Sequence, residues 1–267
     1  MQLNNFVMSL TKTPHEIELM REGGHILSRA LKAAVDLVRP GITLKEIDAV
    51  AEASMRAEGA TPSFKGYKSS PSDTPFPSTI CLSVNEEIVH GLGNRDRILV
   101  EGDVLGLDIG CWFKGLCTDM AVSVYVGKNP PDKIKKLLSV TKEALMAGVL
   151  VAHVGGDIKD ISRAIESVVT PHKYGNVRAL VGHGVGHAVH ETPHVPNFVS
   201  SKFPSVKIVE GMTLALEPMF GLDGDYHIDT APDGWAIVMK DGSIGSHFEV
   251  TIAITKEGTE ILTPLPV

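Results

Sequence analysis

The sequence lacks the features that mark a nucleic-acid-binding, secreted or membrane protein. Its 267 residues carry a formal net charge of -7 at pH 7 and contain no basic run, which argues against an electrostatic nucleic-acid footprint. The longest apolar stretch, residues 144–154, is too short to span a membrane and contains His153. Residues 1–13 lack the charged start and apolar centre of a signal peptide. A cytoplasmic location is therefore expected.

Cysteine is scarce, and two common glycine motifs are missing. The three cysteines are odd in number and have no C-x-x-C spacing, which argues against a disulfide framework or a structural zinc site. No G-x-G-x-x-G or G-x-S-x-G sequence is present, so neither a phosphate-binding loop nor a serine-hydrolase elbow is supported. A Ser-His-Asp triad without that elbow stays open.

Capping signals and apolar periodicity predict two pairs of helices. A Thr-Pro-His-Glu start at Thr13 predicts a helix that ends near residues 39–41, and a second capping box at Thr43 predicts another. Helix signals return after Pro131 and again after Asp157. With 43% hydrophobic residues, the chain can bury a sizeable core around these helices.

Short apolar runs between and after the helices predict strands. Residues 63–78, rich in Pro, Ser and Gly, are predicted to form a loop, and residues 182–186 a glycine-rich turn. Glu86, Glu87 and Glu191 lie in polar segments and are predicted to be surface acids. The predicted strands are 80–84, 104–109, 120–126, 212–216 and 250–254.

The chain contains similar segments twice, in the same order. The order of helix, helix and strands in both halves predicts a duplicated half-domain with a pseudo-twofold axis. We expect one domain at 13–267, built from half-repeats of about 13–128 and 129–267, after a short N-terminal lead at 1–12 for which disorder is one expectation. The matching segments are 41–47 with 155–161, 101–108 with 210–217, and Asp119 with Glu249.

Four carboxylates and one imidazole lie in or beside the apolar runs. Carboxylates are rarely placed there unless something offsets the cost of desolvating the charge. Oxygen-rich ligands with one imidazole suit Mn, Fe(II), Co or Zn, and two bridging carboxylates could hold a pair of such cations. The alternative is that each acid is an ordinary surface or capping residue. That alternative is reasonable for any single acid, but it does not explain why all of them lie beside apolar runs. The five residues are Asp108, Asp119, His183, Glu217 and Glu249.

These residues lie in motifs that resemble type I methionine aminopeptidases, a family with the pita-bread fold. The resemblance runs from about residue 13 to residue 258. It implies an α+β pita-bread fold, with two pseudo-twofold-related halves and a central antiparallel curved sheet covered by helices. The most specific segments are TPSFKGY at 61–67, SVNEEIVHG at 83–91, CTD at 117–119, GHGVG at 182–186 and LEPM at 216–219.

The resemblance implies two divalent metal ions (Co, Fe(II), Mn or Zn), held by the same five side chains. Asp108 would chelate one ion, Asp119 and Glu249 would bridge, and His183 and Glu217 would complete the other. Glu217 would also carry the proton of the attacking water. His90 and His190 are implied as catalytic and substrate-contacting residues, next to the scissile amide and the developing oxyanion.

The implied methionine pocket is walled by Tyr67, Phe76, Cys81 and Trp235, together with His90 and His190. The chain departs from the family pattern in three places. Residues 68–75, between two of the wall residues, form a stretch about six residues longer than family members usually carry. Val189 stands where phenylalanine is usual, which predicts a smaller methionine wall. His247 and Val250 stand where glutamine and histidine usually flank the Phe-Glu pair.

The implied function is metal-dependent removal of the N-terminal (initiator) methionine from nascent proteins with a small second residue. The implied partners are peptide N-termini, with the ribosome as a candidate, no nucleic acid and no membrane; a monomer is expected. One alternative is an Xaa-Pro aminopeptidase or dipeptidase of the same fold, towards which HGVGHAVHE at 183–191 leans. An inactive pita-bread binding module is the other, and the presence of all five ligand residues disfavours it.

Overall fold

The computed structural model describes residues 10–68 and 70–267, so residues 1–9 of the predicted N-terminal lead lie outside the described residues. Both capping boxes form as the sequence predicts, with the Thr13 and Thr43 side chains accepting from Glu16 and Glu46 backbone N–H groups. No described helix is long and apolar enough to cross a membrane. The helices are α1 (Pro14–Asp36), α2 (Leu44–Ala57), α3 (Asp132–Val151) and α4 (Ile158–Val169), followed by a short 3-10 turn at Thr170–His172.

Fifteen described strands accompany these helices, most of them short. Those of the first half are β1 (Thr61–Pro62), β2 (Ile80–Val84), β3 (Glu87–Val89), β4 (Val104–Phe113) and β5 (Leu116–Tyr125). Those of the second half are β6 (Gly175–Asn176), β7 (Gly182–Gly184), β8 (Glu191–Val195), β9 (Thr213–Leu216), β10 (Met219–Gly221), β11 (Ile228–Thr230), β12 (Ile237–Met239), β13 (Gly245–His247), β14 (Glu249–Thr255) and β15 (Gly258–Ile261).

The main sheet has nine strands and is symmetric about the contact between β5 and β14. Its antiparallel order is β1-β4-β5-β14-β9-β7-β8, with β2 pairing β4 and β15 pairing β14. Reading outward from the centre, β5, β4 and β2 on one side correspond to β14, β9 and β7 on the other. Helix α1 packs on β4 and β5, whereas α3 contacts β14 and β9. The matched segments 101–108 with 210–217, and Asp119 with Glu249, therefore occupy matched places in the sheet, whereas 41–47 and 155–161 begin α2 and α4.

Two small three-stranded sheets stand beside the main one. In the first, β10 pairs with β13 and β6; in the second, β12 pairs with β11 and β3. Strand β3 brings His90 to its end, and Trp235 lies just before β12, which pairs with β3. These sheets thereby bring His90 and Trp235, distant in sequence, to the same cavity as the acids.

Two predicted elements differ in the structure. The glycine-rich segment is not simply a turn: Gly182–Gly184 is strand β7. A Cβ on Gly182 would lie 2.4 Å from the carbonyl oxygen of Ala215, so this glycine allows close strand approach. The predicted strand 104–109 continues to Phe113, because Lys114 and Gly115 both adopt positive φ and form a two-residue hairpin turn.

Candidate metal centre

Asp108 and Asp119 are diagonal neighbours on one face of the β4–β5 hairpin. Asp108 pairs with Ala121, and Asp119 pairs with Gly110. Directly paired residues of antiparallel strands project to the same face, and residues two apart on one strand share that face. The spacing of eleven residues between the two aspartates is therefore the consequence of a two-residue turn between long strands. Both side chains are buried.

Glu249 joins this pair from the second half of the sheet. It begins β14 and pairs with Ala121, so Ala121 has Asp108 on one side and Glu249 on the other. The backbone N–H of Asp119 donates to Thr251 Oγ1 at 2.9 Å, and that hydroxyl donates to the Asp119 carbonyl at 2.8 Å. The centre of the sheet thus holds three carboxylates in fixed positions.

His183 and Glu217 complete the group from β7 and the end of β9. His183 Nδ1 donates to the carbonyl oxygen of Gly184 at 2.8 Å, which leaves the lone pair on Nε2. That Nε2 lies 3.7 Å from Glu217 Oε1. Burial lowers the pKa of His183 to about 3, so the imidazole is neutral near pH 7 and suited to binding a cation.

The five side chains line one cavity, and several of their buried oxygens have no hydrogen-bond partner among the described residues. Single ligand atoms of Asp119, His183 and Glu249 all lie within 4.8 Å of one another. Asp108 Oδ1, Asp119 Oδ1 and Glu249 Oε1 are buried without a hydrogen-bond partner. Because an unpaired buried carboxylate is costly, this donor set fits divalent cations, which would neutralise the charges and fill the free lone pairs.

Burial and mutual repulsion raise the pKa values of the four carboxyl groups. Desolvation raises the pKa of Asp108 to about 7. It also raises the pKa values of Asp119, Glu217 and Glu249 well above the usual range, with repulsion from neighbouring carboxylates adding to the effect. Protons therefore compete with cations for this cluster near neutral pH.

Two further histidines stand at the open side of the cluster. The ring of His190 lies 4.5 Å from that of His183, edge to face, and its Nδ1 is 2.9 Å from Tyr67 Oη. His90, at positive φ after β3, lines the same cavity. Both imidazoles are solvent-accessible, unlike His183. The predicted catalytic histidines and the predicted ligand histidine are therefore brought together but differ in exposure.

The cavity above the carboxylates has a volume of about 200 Å³ and an apolar wall. That is smaller than typical pockets for drug-sized ligands and suits a single side chain. Phe76 packs edge to face on Trp235, with ring centroids 5.2 Å apart. All four predicted pocket residues line the cavity: Tyr67, Phe76, Cys81 and Trp235.

The insertion does not separate Tyr67 from Phe76. The Phe76 N–H donates to the Tyr67 carbonyl at 2.9 Å, and the Gly66 N–H donates to the Phe76 carbonyl at 2.8 Å. These bonds join the two ends of the inserted segment, so both rings still face the cavity. The expectation for Val189 is wrong: among the described residues it does not line this cavity. Its side chain is instead buried in a cluster that includes Cys117 and Val185, against which Phe64 and Tyr67 pack.

Sequence reasoning missed several residues of the site. The apolar wall also includes Phe64, Val89, Leu180, Val181 and Met219. Leu180 and Val181 directly precede Gly182-His183, and Met219 follows Glu217-Pro218. Their position next to a predicted ligand in the sequence could therefore have indicated that they line the cavity. His247 was noticed only as a departure from the family pattern. Its Nε2 lies 3.7 Å from carboxylate oxygens of both Glu217 and Glu249.

Two of the predicted surface acids are not on the surface. Glu191 is buried and pairs with Lys12 Nζ, while its other oxygen accepts from the Ala188 N–H at 2.9 Å. The Glu87 side chain is largely buried and pairs with Arg95. The partner of Glu191 is far along the chain, and the partner of Glu87 is eight residues away. The polar segments around the two acids do not indicate these ion pairs. Glu86 is exposed, as predicted.

Comparisons with known proteins agree with this geometry. Residues 18–256 match the model of metallopeptidase family M24. The chain is 42% identical over 257 residues to methionine aminopeptidase 1 of Bacillus subtilis, with 96% of this chain and 99% of that protein covered. It is 40% identical over 256 residues to a methionine aminopeptidase of Clostridium acetobutylicum, again with 96% and 99% covered.

Solved structures show the same fold. A methionine aminopeptidase from Thermotoga maritima superposes with a TM-score of 0.88 at 37% identity, covering 95% of this chain and 98% of that one. A prolidase from Pyrococcus furiosus superposes with a TM-score of 0.75 at 23% identity, and this chain spans 65% of its length. The second likeness establishes the fold alone, which is the pita-bread fold predicted from sequence.

Proposed function

The chain belongs to metallopeptidase family M24 and, within it, to the methionine aminopeptidases; from this premise we propose that it removes the initiator methionine from polypeptides with a small second residue. The observation that carries the proposal is a largely apolar cavity whose lining also includes the buried carboxylates. One end of the site suits a thioether side chain, and the other suits cations, an amine and a scissile carbonyl.

Two divalent ions would fit the donor set and would be held by Asp108, Asp119, His183, Glu217 and Glu249. When bound, such ions supply Lewis-acid polarisation of the carbonyl and a water of lowered pKa. Glu217, at the edge of the cluster with 13% of its side chain exposed, is placed to accept the water's proton and pass it to the leaving amine.

His90 and His190 act on the substrate from the open side of the cavity. Each can donate to a carbonyl oxygen that becomes negative as the tetrahedral intermediate forms. The Tyr67 hydroxyl at His190 Nδ1 fixes the orientation of that imidazole, so that its Nε2 is free to face the substrate. These donors stabilise charge that develops only in the transition state, which raises turnover rather than binding.

The pocket wall sets the preference for the first residue. The aromatic rings of Phe64, Tyr67, Phe76 and Trp235, with Cys81 at the base, offer apolar and polarisable contacts to a methionine thioether. A side chain that differs by one methylene or a branch changes such discrimination by roughly 1–3 kcal/mol. Val189 lies outside this wall, in the buried cluster against which Phe64 and Tyr67 pack.

Hydrolysis of three matched tripeptides tests the proposal. Metal-free protein is reconstituted anaerobically with Fe(II), Mn or Co and given Met-Ala-Ser, Leu-Ala-Ser and Ala-Pro-Ser. We expect free methionine from the first and little product from the other two, and no product with the Asp108→Asn variant. Preferential cleavage of the proline peptide would replace the substrate by the Xaa-Pro alternative. No cleavage of any peptide by metal-loaded protein would contradict the peptidase assignment.

The reaction setting is part of the proposal. All three cysteines are free and buried, which is typical of a reducing compartment, and we place the enzyme in the cytoplasm as a monomer. Its substrates would be the N-termini of nascent chains, with the ribosome as a predicted partner. Co-sedimentation of the protein with purified ribosomes, with and without a nascent chain, tests that partner.

A further inference from the structure

His247 is held rigidly beside the carboxylate cluster, on a strand that supplies no other site residue. It ends β13 and pairs with Met219 of β10, which lines the cavity. Its backbone N–H donates to Ser123 Oγ at 2.9 Å, and the same hydroxyl donates to its carbonyl at 2.9 Å. Ser123 belongs to β5, so the histidine is fixed to the strand that carries Asp119.

The imidazole faces the acids and makes no hydrogen bond through Nε2. Nε2 lies 3.7 Å from Glu217 Oε2 and 3.7 Å from Glu249 Oε2, which is longer than a hydrogen bond to either oxygen. It is buried and has no hydrogen-bond partner among the described residues. An unsatisfied buried nitrogen is destabilising, which favours a bound ligand at this atom.

A shared cation satisfies all three groups at once. Two ligand atoms that are each about 2.1 Å from one cation lie at most about 4.2 Å apart. They lie about 3.7 Å apart when the ligand–metal–ligand angle is roughly 120°. The two nitrogen-to-oxygen separations fit that limit. Atoms of Glu217, His247 and Glu249 also all lie within 4.8 Å of one another, a grouping separate from that of Asp119, His183 and Glu249.

We propose that His247 Nε2 is a further metal ligand, which with Glu217 and Glu249 binds the same cation as His183. The proposal rests on the metal centre of the proposed function and adds one ligand to it. The centre then has two imidazoles among its protein ligands rather than one. Since imidazole favours Zn, Co and Fe(II) over Mn, this chain selects nitrogen-preferring metals more strongly than a centre with a single histidine.

Nitrogen NMR of the zinc-loaded protein tests the assignment directly. The protein is labelled with ¹⁵N-histidine, and long-range ¹H–¹⁵N spectra are recorded without metal and with two equivalents of Zn²⁺. We expect the Nε2 signals of two histidines to move to the metal-bound region, and one of them to vanish in His247→Gln while the other, from His183, remains. Movement of one signal only would overturn the assignment.

Metal selectivity gives a second readout that does not depend on activity. In His247→Gln, we expect affinity for Zn²⁺ to fall about 10–100-fold, with affinity for Mn²⁺ changing less. The matched control is His227→Gln, because that exposed imidazole pairs with Asp225 away from the site and should leave both affinities unchanged. Equal loss for Zn²⁺ and Mn²⁺ would overturn the nitrogen-ligand assignment. Failure of the wild type to bind any divalent ion would instead overturn the metal centre itself.

Discussion

Ala121 of β5 is paired directly with Glu249 of β14, at the contact where the two halves of the sheet meet. The same alanine pairs with Asp108 on its other side. Its side chain therefore points to the face that carries the carboxylates, between two of them, and it is fully buried. A single methyl group at this position leaves the space in which cations would lie.

Replacing Ala121 with leucine should fill that space. Extra carbons in a packed site cost about 1–3 kcal/mol, and the displaced carboxylates should lower metal affinity by about tenfold or more. Calorimetric titration of metal-free Ala121→Leu measures this loss. Ala121→Gly, which keeps the space open, is the control and should bind metal like the wild type. Equal affinity for the leucine variant would contradict the placement of the cations on this face.

Lys12 and Glu191 form a buried ion pair that links the segment before α1 to the residues around His190. Lys12→Met leaves the Glu191 charge unpaired, which should cost about 3–5 kcal/mol of unfolding free energy. Chemical denaturation measures the loss, and the Lys12→Met/Glu191→Gln double variant should recover part of it. We also expect lower kcat with metal content unchanged. Additive losses in the double variant would show that the two residues are not coupled.

His90→Ala should separate catalysis from metal binding. The imidazole lines the cavity without belonging to the carboxylate cluster, so metal content should stay at the wild-type level. Loss of one oxyanion donor should lower turnover of Met-Ala-Ser by about 10²–10³. Metal analysis and initial rates on the same samples check both statements. A variant that loses its metal would place His90 among the ligands instead.

The raised carboxyl pKa values predict how the stability of metal-free protein depends on pH. The folded state holds more protons on Asp108 and its neighbours than the unfolded state does, so these groups lower stability as pH rises. Buried His183 and His247, with pKa values lowered to about 3, have the opposite effect, which fades at about one pH unit above the unfolded histidine pKa of about 6.5.

Above about pH 7.5 the carboxyl effect dominates, so the Tm of metal-free protein should fall as pH rises to 8.5. Saturating Mn²⁺ should abolish the fall, because cations take the place of the protons. Thermal unfolding across this range, with and without metal, provides the comparison. If the Tm of the metal-free protein stays level or rises with pH, the pKa values of these carboxyl groups are not raised in the folded state.

The sequence indicates which acidic residues lie close together, but not the strands and the turn that bring them together. The apolar pattern places Asp108 near the end of one strand and Asp119 before the next. The hairpin turn between them is not predicted, because the residue type of Lys114 does not indicate its positive φ. Both aspartates lie inside longer strands. The matched halves were nevertheless visible, since duplicated segments keep their apolar pattern and their acids even where loop lengths differ.

Long-range contacts account for most of what was missed. Lys12 and Glu191 are 179 residues apart, and no local pattern predicts that a glutamate in a polar segment becomes buried against a lysine before the first helix. The family pattern assigns Val189 to the pocket, but the structure places it in a bend before β8, buried in a cluster with Cys117 and Val185. A residue next to a ligand in sequence can therefore lie outside the cavity.

Methionine release as a function of added metal tests the central claim most directly. Chelated, metal-free protein is titrated anaerobically with Fe(II) or Mn²⁺, and free methionine from Met-Ala-Ser is measured beside Asp108→Asn. We expect no release without metal, full activity by about two equivalents, and no activity of the variant at any metal concentration. Release of methionine at an undiminished rate by the metal-free protein would contradict a metal-dependent hydrolysis.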